Sequence, residues 1–187
     1  IEPRAWFLGS GPSAFAQRWR EWLLRRVGGM LPVWRGGVGV EQHVASAEAV
    51  LRNGGVFVLF PEGSVSGPPE RLAPFRVGSA VIALRTLAPI VPLVIVGTDE
   101  LYLGKRMATR ILPATTVGEL LGPAWDGRPP EPGSREEIDL AKALTDRFAD
   151  VLAPDVEALY PRTVDPPSHP RRLRSITWLF LTRGPRG

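Results

Sequence analysis

Apolar and polar positions along the chain follow two periodicities. Apolar residues at helical spacing predict helices, and short β-branched runs bounded by Gly or Pro predict buried strands. The pattern predicts helices over residues 13–27, 41–52 and 77–87, and from 134 to about 152, where Pro154 ends the last one. It predicts strands over residues 31–34, 56–60, 90–96 and 110–117. The alternation of predicted strands and helices indicates an α/β fold. We expect a single domain with a mixed, largely parallel sheet flanked by helices.

One predicted strand ends in residues that can carry chemistry. The apolar run over residues 56–60 leads into Pro61, Glu62 and Gly63, followed by the hydroxyl residues Ser64 and Ser66. A lone Pro-x-Gly is most often only a turn. In α/β sheets, however, ligands bind at the carboxyl ends of strands. The loop after this strand is therefore the first candidate site.

Two segments pair aromatic residues with arginines. The helix over 13–27 carries Trp19 and Trp22 on its apolar stripe, and either packs on a sheet or lies on a membrane surface. Near the end of the chain, arginines flank the run ITWLFL at residues 176–181. This tail either attaches to a membrane interface or docks on the domain as a last helix.

Composition narrows the classes of function. The chain has 187 residues, no cysteine, two histidines and a net charge of +4, with a pI near 10.3. Thiol nucleophiles and cysteine-ligated metals are excluded, and no metal site is expected. The positive charge suits anionic surfaces. Nucleic acid is not expected as a partner, because no helix-turn-helix, zinc spacing or stacking motif is present. No apolar run is long enough to span a bilayer.

Three segments, in order, resemble blocks of the phospholipid/glycerol acyltransferase family, which includes the bacterial lysophosphatidic acid acyltransferases. Residues 29–35 (GMLPVWR) are similar to G-x-x-x-V-x-R, and residues 60–66 (FPEGSVS) to F-P-E-G-T-R-S. Residues 75–78 (FRVG) and 89–93 (PIVPL) are similar to F-K-x-G followed by P-I-V-P-V. One block alone is a weak signal, but three in order over about residues 23–98 are specific.

The resemblance implies a glycerol-phosphate acyltransferase-like fold and activity. Such an enzyme transfers a fatty acyl group from acyl-CoA or acyl carrier protein to the hydroxyl of a lysophospholipid or glycerol-phosphate-type acceptor, in phospholipid biosynthesis. No cofactor besides this co-substrate is implied. The protein is expected to be a monomer, peripheral to the inner face of a bacterial cell membrane. The substrate-binding residues implied are Arg35, Glu62, Gly63, Ser64, Ser66 and Arg76.

Each of these residues has a structural alternative. Arg35 can clamp a phosphate with its planar fork or be a surface charge after a strand. Glu62 can accept a hydrogen bond from a glycerol hydroxyl, orient the loop, or be a buried structural carboxylate. Gly63 permits close approach of the backbone to a ligand. Ser64 and Ser66 can donate to phosphate oxygens or cap the loop locally.

Two departures from the family pattern stand out. The family's catalytic block H-x-x-x-x-D precedes G-x-x-x-V-x-R, but no His or Asp occurs before Arg35. Val65 replaces the arginine of F-P-E-G-T-R-S. Losing that charge costs about 1.5–3 kcal/mol of phosphate binding. Either Arg71 or Arg76 compensates, or the acceptor is not a simple lysophosphatidate.

The missing block has two explanations. The chain begins with Ile1 rather than Met, so we expect an amino-terminal truncation; the alternative is a pseudoenzyme that lost its His. His43 and Glu48 repeat the spacing of the block but lie in a predicted helix, five residues apart, so we expect His43 to be solvated. We expect an acyltransferase domain over 1–160, a basic and aromatic tail over 161–187, no catalytic residue here and little turnover from this chain alone.

Overall fold

The computed structural model describes residues 5–10, 29–33, 40–63, 68–99, 102–123, 125–166 and 168–170. The chain divides into two compact units. The first comprises Ile1–Pro61, Arg76–Ala88 and Asp126–Lys142, and the second Glu62–Phe75, Pro89–Trp125 and Ala143–Gly187. The mixed α/β class is confirmed. The expected single domain is not confirmed.

A parallel sheet forms the first unit's strand layer. Strand β1 (Ala5–Ser10) lies between β2 (Gly29–Val33) and β3 (Val56–Val58), and both pairings are parallel. In register, Trp6 lies opposite Gly29 on one side and Phe57 on the other. The predicted strands at 31–34 and 56–60 correspond to β2 and β3. The central strand β1 was not predicted, because its short apolar run is too brief to distinguish strand from helix.

Two helices of the first unit pack together. Helix α1 (Val40–Arg52) buries Val44, Ala47 and Val50, at the helical spacing its sequence shows. It packs against α2 (Val77–Thr86), which contributes four buried apolar residues. Both helices were predicted. The observed start of α1 and the observed end of α2 each differ from the prediction by one residue.

An arginine ties these helices to the start of α4 (Arg135–Leu159). Arg85 on α2 donates from Nε to Glu137 Oε1 at 2.5 Å and from Nη2 to Glu137 Oε2 at 2.9 Å. Its Nη1 donates to Glu41 Oε2 at 2.5 Å. The side chains of Arg85 and Glu137 are only 9% and 5% exposed, so this is a buried ion pair rather than a surface one.

The second unit is built around two antiparallel strands. Strand β4 (Leu93–Val96) pairs with β5 (Ala108–Ile111), and Leu93 lies opposite Ile111. Val94 and Val96 are buried against the later part of α4, where Leu152, Val156 and Leu159 complete the core. Partly buried side chains pack against this core: Leu72, Phe75, Ala108, Leu112 and Phe148. The expectation of a largely parallel sheet is not confirmed, because this pair is antiparallel.

Helix α4 runs past its predicted end. Its start is as predicted: Glu137 N donates to Ser134 Oγ at 3.1 Å, although the Glu137 carboxylate accepts from Gly133 N at 2.8 Å rather than from Ser134. The predicted stop at Pro154 is wrong. Proline removes one backbone hydrogen bond, but the buried side chains on both sides of it keep the helix continuous to Leu159.

The predicted strand over 110–117 is also corrected. The strand ends at Ile111, and helix α3 (Val117–Leu121) follows. Thr116 Oγ1 accepts from Glu119 N at 3.2 Å, and the Glu119 carboxylate accepts from Thr116 N at 2.8 Å, which is a reciprocal capping box. The signature T-x-x-E was present in the sequence and marks this helix start. A 3₁₀ turn (Tyr160–Thr163) follows α4.

Some predicted segments are not tested. The helix over 13–27 and the tail beyond 170 lie outside the described residues, and the division at 160 stays a prediction. In the described ranges, no helix combines the length and apolar content needed to cross a bilayer.

Candidate substrate-binding site

The loop after β3 begins with a tight turn. The strand ends at Val58, and Pro61 and Glu62 form a turn before Gly63. Gly63 has φ +63°, in the left-handed region that side chains with a Cβ rarely adopt. This conformation favours glycine at position 63.

Glu62 occupies an unusual environment for a carboxylate. It is half-buried, and this burial raises the pKa of Glu62 above its ordinary value. No hydrogen bond or ion pair to the Glu62 side chain is formed by the residues that the structure describes. Structural carboxylates in such places are normally paired. Among the described residues, the Glu62 carboxylate therefore has no hydrogen-bond donor.

Arg76 is linked through its backbone to the same turn. Its N–H donates to the carbonyl oxygen of Pro61 at 2.8 Å. With φ −90° and ψ 137° it is the extended residue preceding α2, and its carbonyl accepts from Ser79 Oγ at 3.1 Å. The side chain is exposed. The first turn of α2 adds partial positive charge beside this arginine.

The other predicted site residues are not tested. Arg35, Ser64, Val65 and Ser66 lie outside the described residues. Arg71 is described and exposed, with its N–H donating to Pro68 O at 3.2 Å in a local turn.

A groove in the second unit was not predicted from the sequence. It has a volume of about 330 Å³ and is lined by Leu72, Ala73, Pro74, Phe75, Thr145, Asp146, Ala149, Asp150 and Ala153. Its small alanines lie one helical turn apart on α4, and the stretch before Arg76 forms its other wall. Neither Glu62 nor Gly63 lines it.

A polar cluster in the second unit was also missed. Tyr102 Oη donates to Asp165 Oδ2, and Arg106 Nε lies 3.2 Å from Asp165 Oδ1. The hydrogen bond from Tyr102 is the main cause of a lowered pKa of Asp165. Lys105 Nζ donates to Thr163 O at 3.1 Å. The cluster fastens the segment after α4 to the β4–β5 connection, which is a structural role.

The two histidines differ from each other in environment. His43 lies on α1 as predicted, but it is half-buried, and within the described ranges its buried Nε2 has no hydrogen-bond partner. The expectation of a solvated side chain is therefore wrong. Glu48 is engaged with Arg52 at 3.6 Å instead. His169 packs on the Tyr102 ring, with 5.8 Å between the ring centroids.

Comparisons with known proteins agree with the resemblance. The family model described as Acyltransferase matches residues 2–96. A 1-acyl-sn-glycerol-3-phosphate acyltransferase from Cocos nucifera is 39% identical over 84 residues, which are 45% of this chain and 26% of that protein. The crystal structure of the 1-acyl-sn-glycerophosphate (LPA) acyltransferase PlsC from Thermotoga maritima matches with a TM-score of 0.53 and 22% identity. That match covers 83% of this chain and 56% of PlsC, so the chain spans only part of either relative.

Proposed function

Because the chain belongs to the acyltransferase family, we propose that it forms the acceptor-binding part of an O-acyltransferase of phospholipid biosynthesis. The acyl donor is acyl-CoA or acyl carrier protein, and the acceptor is the hydroxyl of a lysophospholipid or glycerol-phosphate-type molecule. The relatives named above support this class of acceptor. The observation that carries the proposal is the half-buried Glu62 carboxylate in the turn after β3, whose pKa is raised by burial and which has no partner among the described residues.

The Glu62 carboxylate has the properties that a glycerol hydroxyl needs. A hydroxyl of the acceptor donates to the carboxylate, and this bond supplies the partner that Glu62 lacks. Gly63 lets the acceptor approach the backbone closely. The hydrogen bond then holds the hydroxyl in one orientation relative to the acyl donor.

Arg76 carries positive charge that suits a phosphate. Arg76 is held to Pro61 through its backbone and carries an exposed guanidinium. A guanidinium fork matches two phosphate oxygens. With Val65 in place of the motif arginine, Arg76 takes over part of that role, and Arg35, Ser64 and Ser66 supply further contacts.

The chemical step requires a base that this chain does not contain. The acceptor oxygen attacks the thioester carbonyl carbon, the C–S bond breaks, and the thiol leaves with a proton. As the oxygen attacks, the hydroxyl releases its hydrogen bond to Glu62 and passes its single proton to a general base, which then protonates the leaving thiolate. The resemblance implies that this base is the His of an H-x-x-x-x-D block, which does not occur before Arg35. The full-length protein works as a monomer at the inner face of the cell membrane.

The test uses the full-length protein and acyl transfer to lysophosphatidate. Glu62→Gln lowers kcat/KM for the acceptor roughly 5- to 13-fold, because a hydrogen bond to a charged group exceeds a neutral one by about 1–1.5 kcal/mol. Glu70→Gln, at an exposed acidic position of the same unit, leaves the rate unchanged. Equal rates for wild type and Glu62→Gln would remove the proposed role of Glu62.

A second candidate rests on the sequence before Arg35, which contains no His and no Asp. It is a catalytically inactive module of the same fold that binds lipid surfaces. The full-length protein would then bind vesicles containing lysophosphatidate without transferring label from radioactive acyl-CoA. Label transfer above the rate without enzyme excludes it.

A further inference from the structure

The groove in the second unit combines apolar walls with an acidic edge. Leu72 and Phe75 line one wall, and Ala149 and Ala153, one helical turn apart on α4, line the other. The groove has a volume of about 330 Å³. A dry cavity of about 150 Å³ takes one benzene ring, so this groove has room for two large apolar side chains.

The charge along the groove is negative. Asp146 and Asp150 line it from α4, and both residues are exposed. Among the residues that the structure describes, neither carboxylate has a hydrogen bond or an ion pair. No basic residue of the described ranges lines the groove. A segment that fills it is therefore expected to combine apolar side chains with positive charge.

The end of the chain has this combination. Residues 171–187 contain five arginines and no acidic residue, and the arginines lie on both sides of the run ITWLFL at residues 176–181. Trp178 and Phe180 in this run carry rings of the size that the groove accommodates. The tail is thus complementary to the groove in charge and in apolar content.

The tail is also long enough to reach the groove. The tail follows Pro170, and both this residue and the groove belong to the second unit. Ala149 lies ten residues before the end of α4 at Leu159, which is about 15 Å along the helix axis. The extended tail, residues 171–187, spans up to roughly 60 Å. The length of the chain therefore permits docking.

We propose that residues 171–187 dock in this groove, with Trp178 and Phe180 between its walls and the flanking arginines beside Asp146 and Asp150. The apolar run then leaves water, and the arginines pair with carboxylates that have no partner among the described residues. A docked tail is part of the fold and is not available as a membrane anchor. The proposal does not depend on acyl transfer.

Paramagnetic broadening in NMR spectra of the full-length protein tests the docking. Residues 1–187 contain no cysteine, so among them an introduced cysteine carries the nitroxide label at one position. The test label is placed by Arg147→Cys, at an exposed position of α4 next to Asp146. The control label is placed by Thr109→Cys, opposite Ile95 on the exposed face of β4 and β5, whereas Val94 and Val96 face α4.

The two labels have different expected effects, because paramagnetic broadening falls steeply with distance. With the label at position 147, the amides of residues 176–181 lose their signals. With the label at position 109, they keep them. No activity is measured, so failure here is distinct from failure of the acyltransfer proposal.

Other locations of the tail are separated by the same spectra. Signal loss with the label at position 109 alone places the tail on the exposed face of β4 and β5. Unchanged signals with both labels leave the tail free for a membrane surface. If labelled protein broadens the tail signals of separate, unlabelled copies in a mixed sample, the groove binds the tail of a second copy. Each of these three results overturns the proposal.

Matched charge variants give a second readout. Asp146→Asn with Asp150→Asn removes two charges from the groove, whereas Glu70→Gln with Asp99→Asn removes two exposed charges elsewhere in the same unit. The first double variant lowers the ratio of docked to undocked tail roughly 2- to 30-fold, as expected for two exposed ion pairs. The second leaves this ratio unchanged. Equal ratios in the two double variants overturn the proposal.

Discussion

The buried ion pair between Arg85 and Glu137 permits a quantitative prediction. Glu137→Gln keeps the size of the side chain but removes its charge. Two of the three hydrogen bonds of the Arg85 guanidinium go to this carboxylate, at 2.5 and 2.9 Å, and the third goes to Glu41. Breaking a buried pair costs about 3–5 kcal/mol. Gln retains one acceptor oxygen and Glu41 remains, so the expected loss is about 2–3 kcal/mol.

This loss is measured by urea denaturation followed by circular dichroism. A change of about 2–3 kcal/mol is a roughly 30- to 150-fold change in the unfolding equilibrium constant. Glu136→Gln, at the adjacent exposed position, is the control and changes the free energy of unfolding by less than about 0.5 kcal/mol. The reasoning is refuted if the two variants are equally stable.

The same pair predicts the direction of a pH effect. The hydrogen bonds from Arg85 are the main cause of a lowered pKa of Glu137. A carboxyl with a lowered pKa in the folded state adds stability above its unfolded pKa, and this stability is lost as pH falls through the folded pKa. The difference in stability between wild type and Glu137→Gln therefore narrows as the solution is acidified. A difference that stays constant down to pH 2 contradicts the assignment.

Three further outcomes are expected. Gly97→Ala lowers the free energy of unfolding by at least about 2 kcal/mol, because φ is +87° and the new Cβ would lie 2.6 Å from Arg106 O. Gly78→Ala, with no atom within 4 Å of the new Cβ, raises it by about 0.5–1 kcal/mol in the same denaturation assay. Asp165→Asn weakens the hydrogen bond from Tyr102, so the amide hydrogens of residues 102–106 exchange faster. In wild type, the exchange rates of these amides rise toward those of the variant as the pH falls through the lowered pKa of Asp165.

Local signals in the sequence located most helices and the turn of the candidate site. The apolar spacing of α1 and the Pro-Glu-Gly turn needed no knowledge of distant contacts. The predicted helix end at Pro154 was wrong because side chains of β4, about sixty residues earlier in the chain, pack against α4 on both sides of this proline. The buried partners of Arg85 were invisible for the same reason, since Glu137 lies 52 residues away.

The candidate site was anticipated only in part. The sequence located the Pro-Glu-Gly turn, but the left-handed conformation of Gly63 was not predicted. The desolvation of Glu62 was not predicted either, because burial depends on segments brought together by the fold. Likewise, the bond between Arg76 and Pro61 joins two motif blocks that the sequence shows only as separate runs.

The central claim is that Glu62 accepts a hydrogen bond from the acceptor hydroxyl. Binding of lysophosphatidate and of its 2-deoxy analogue to the full-length protein and its Glu62→Gln variant tests this directly by titration calorimetry. In wild type, loss of the hydroxyl is expected to weaken binding roughly 10- to 100-fold. In the variant, Gln retains one neutral acceptor oxygen, so the penalty for the missing hydroxyl should fall to roughly 2- to 13-fold. A full penalty for the missing hydroxyl in the Glu62→Gln variant would contradict the claim.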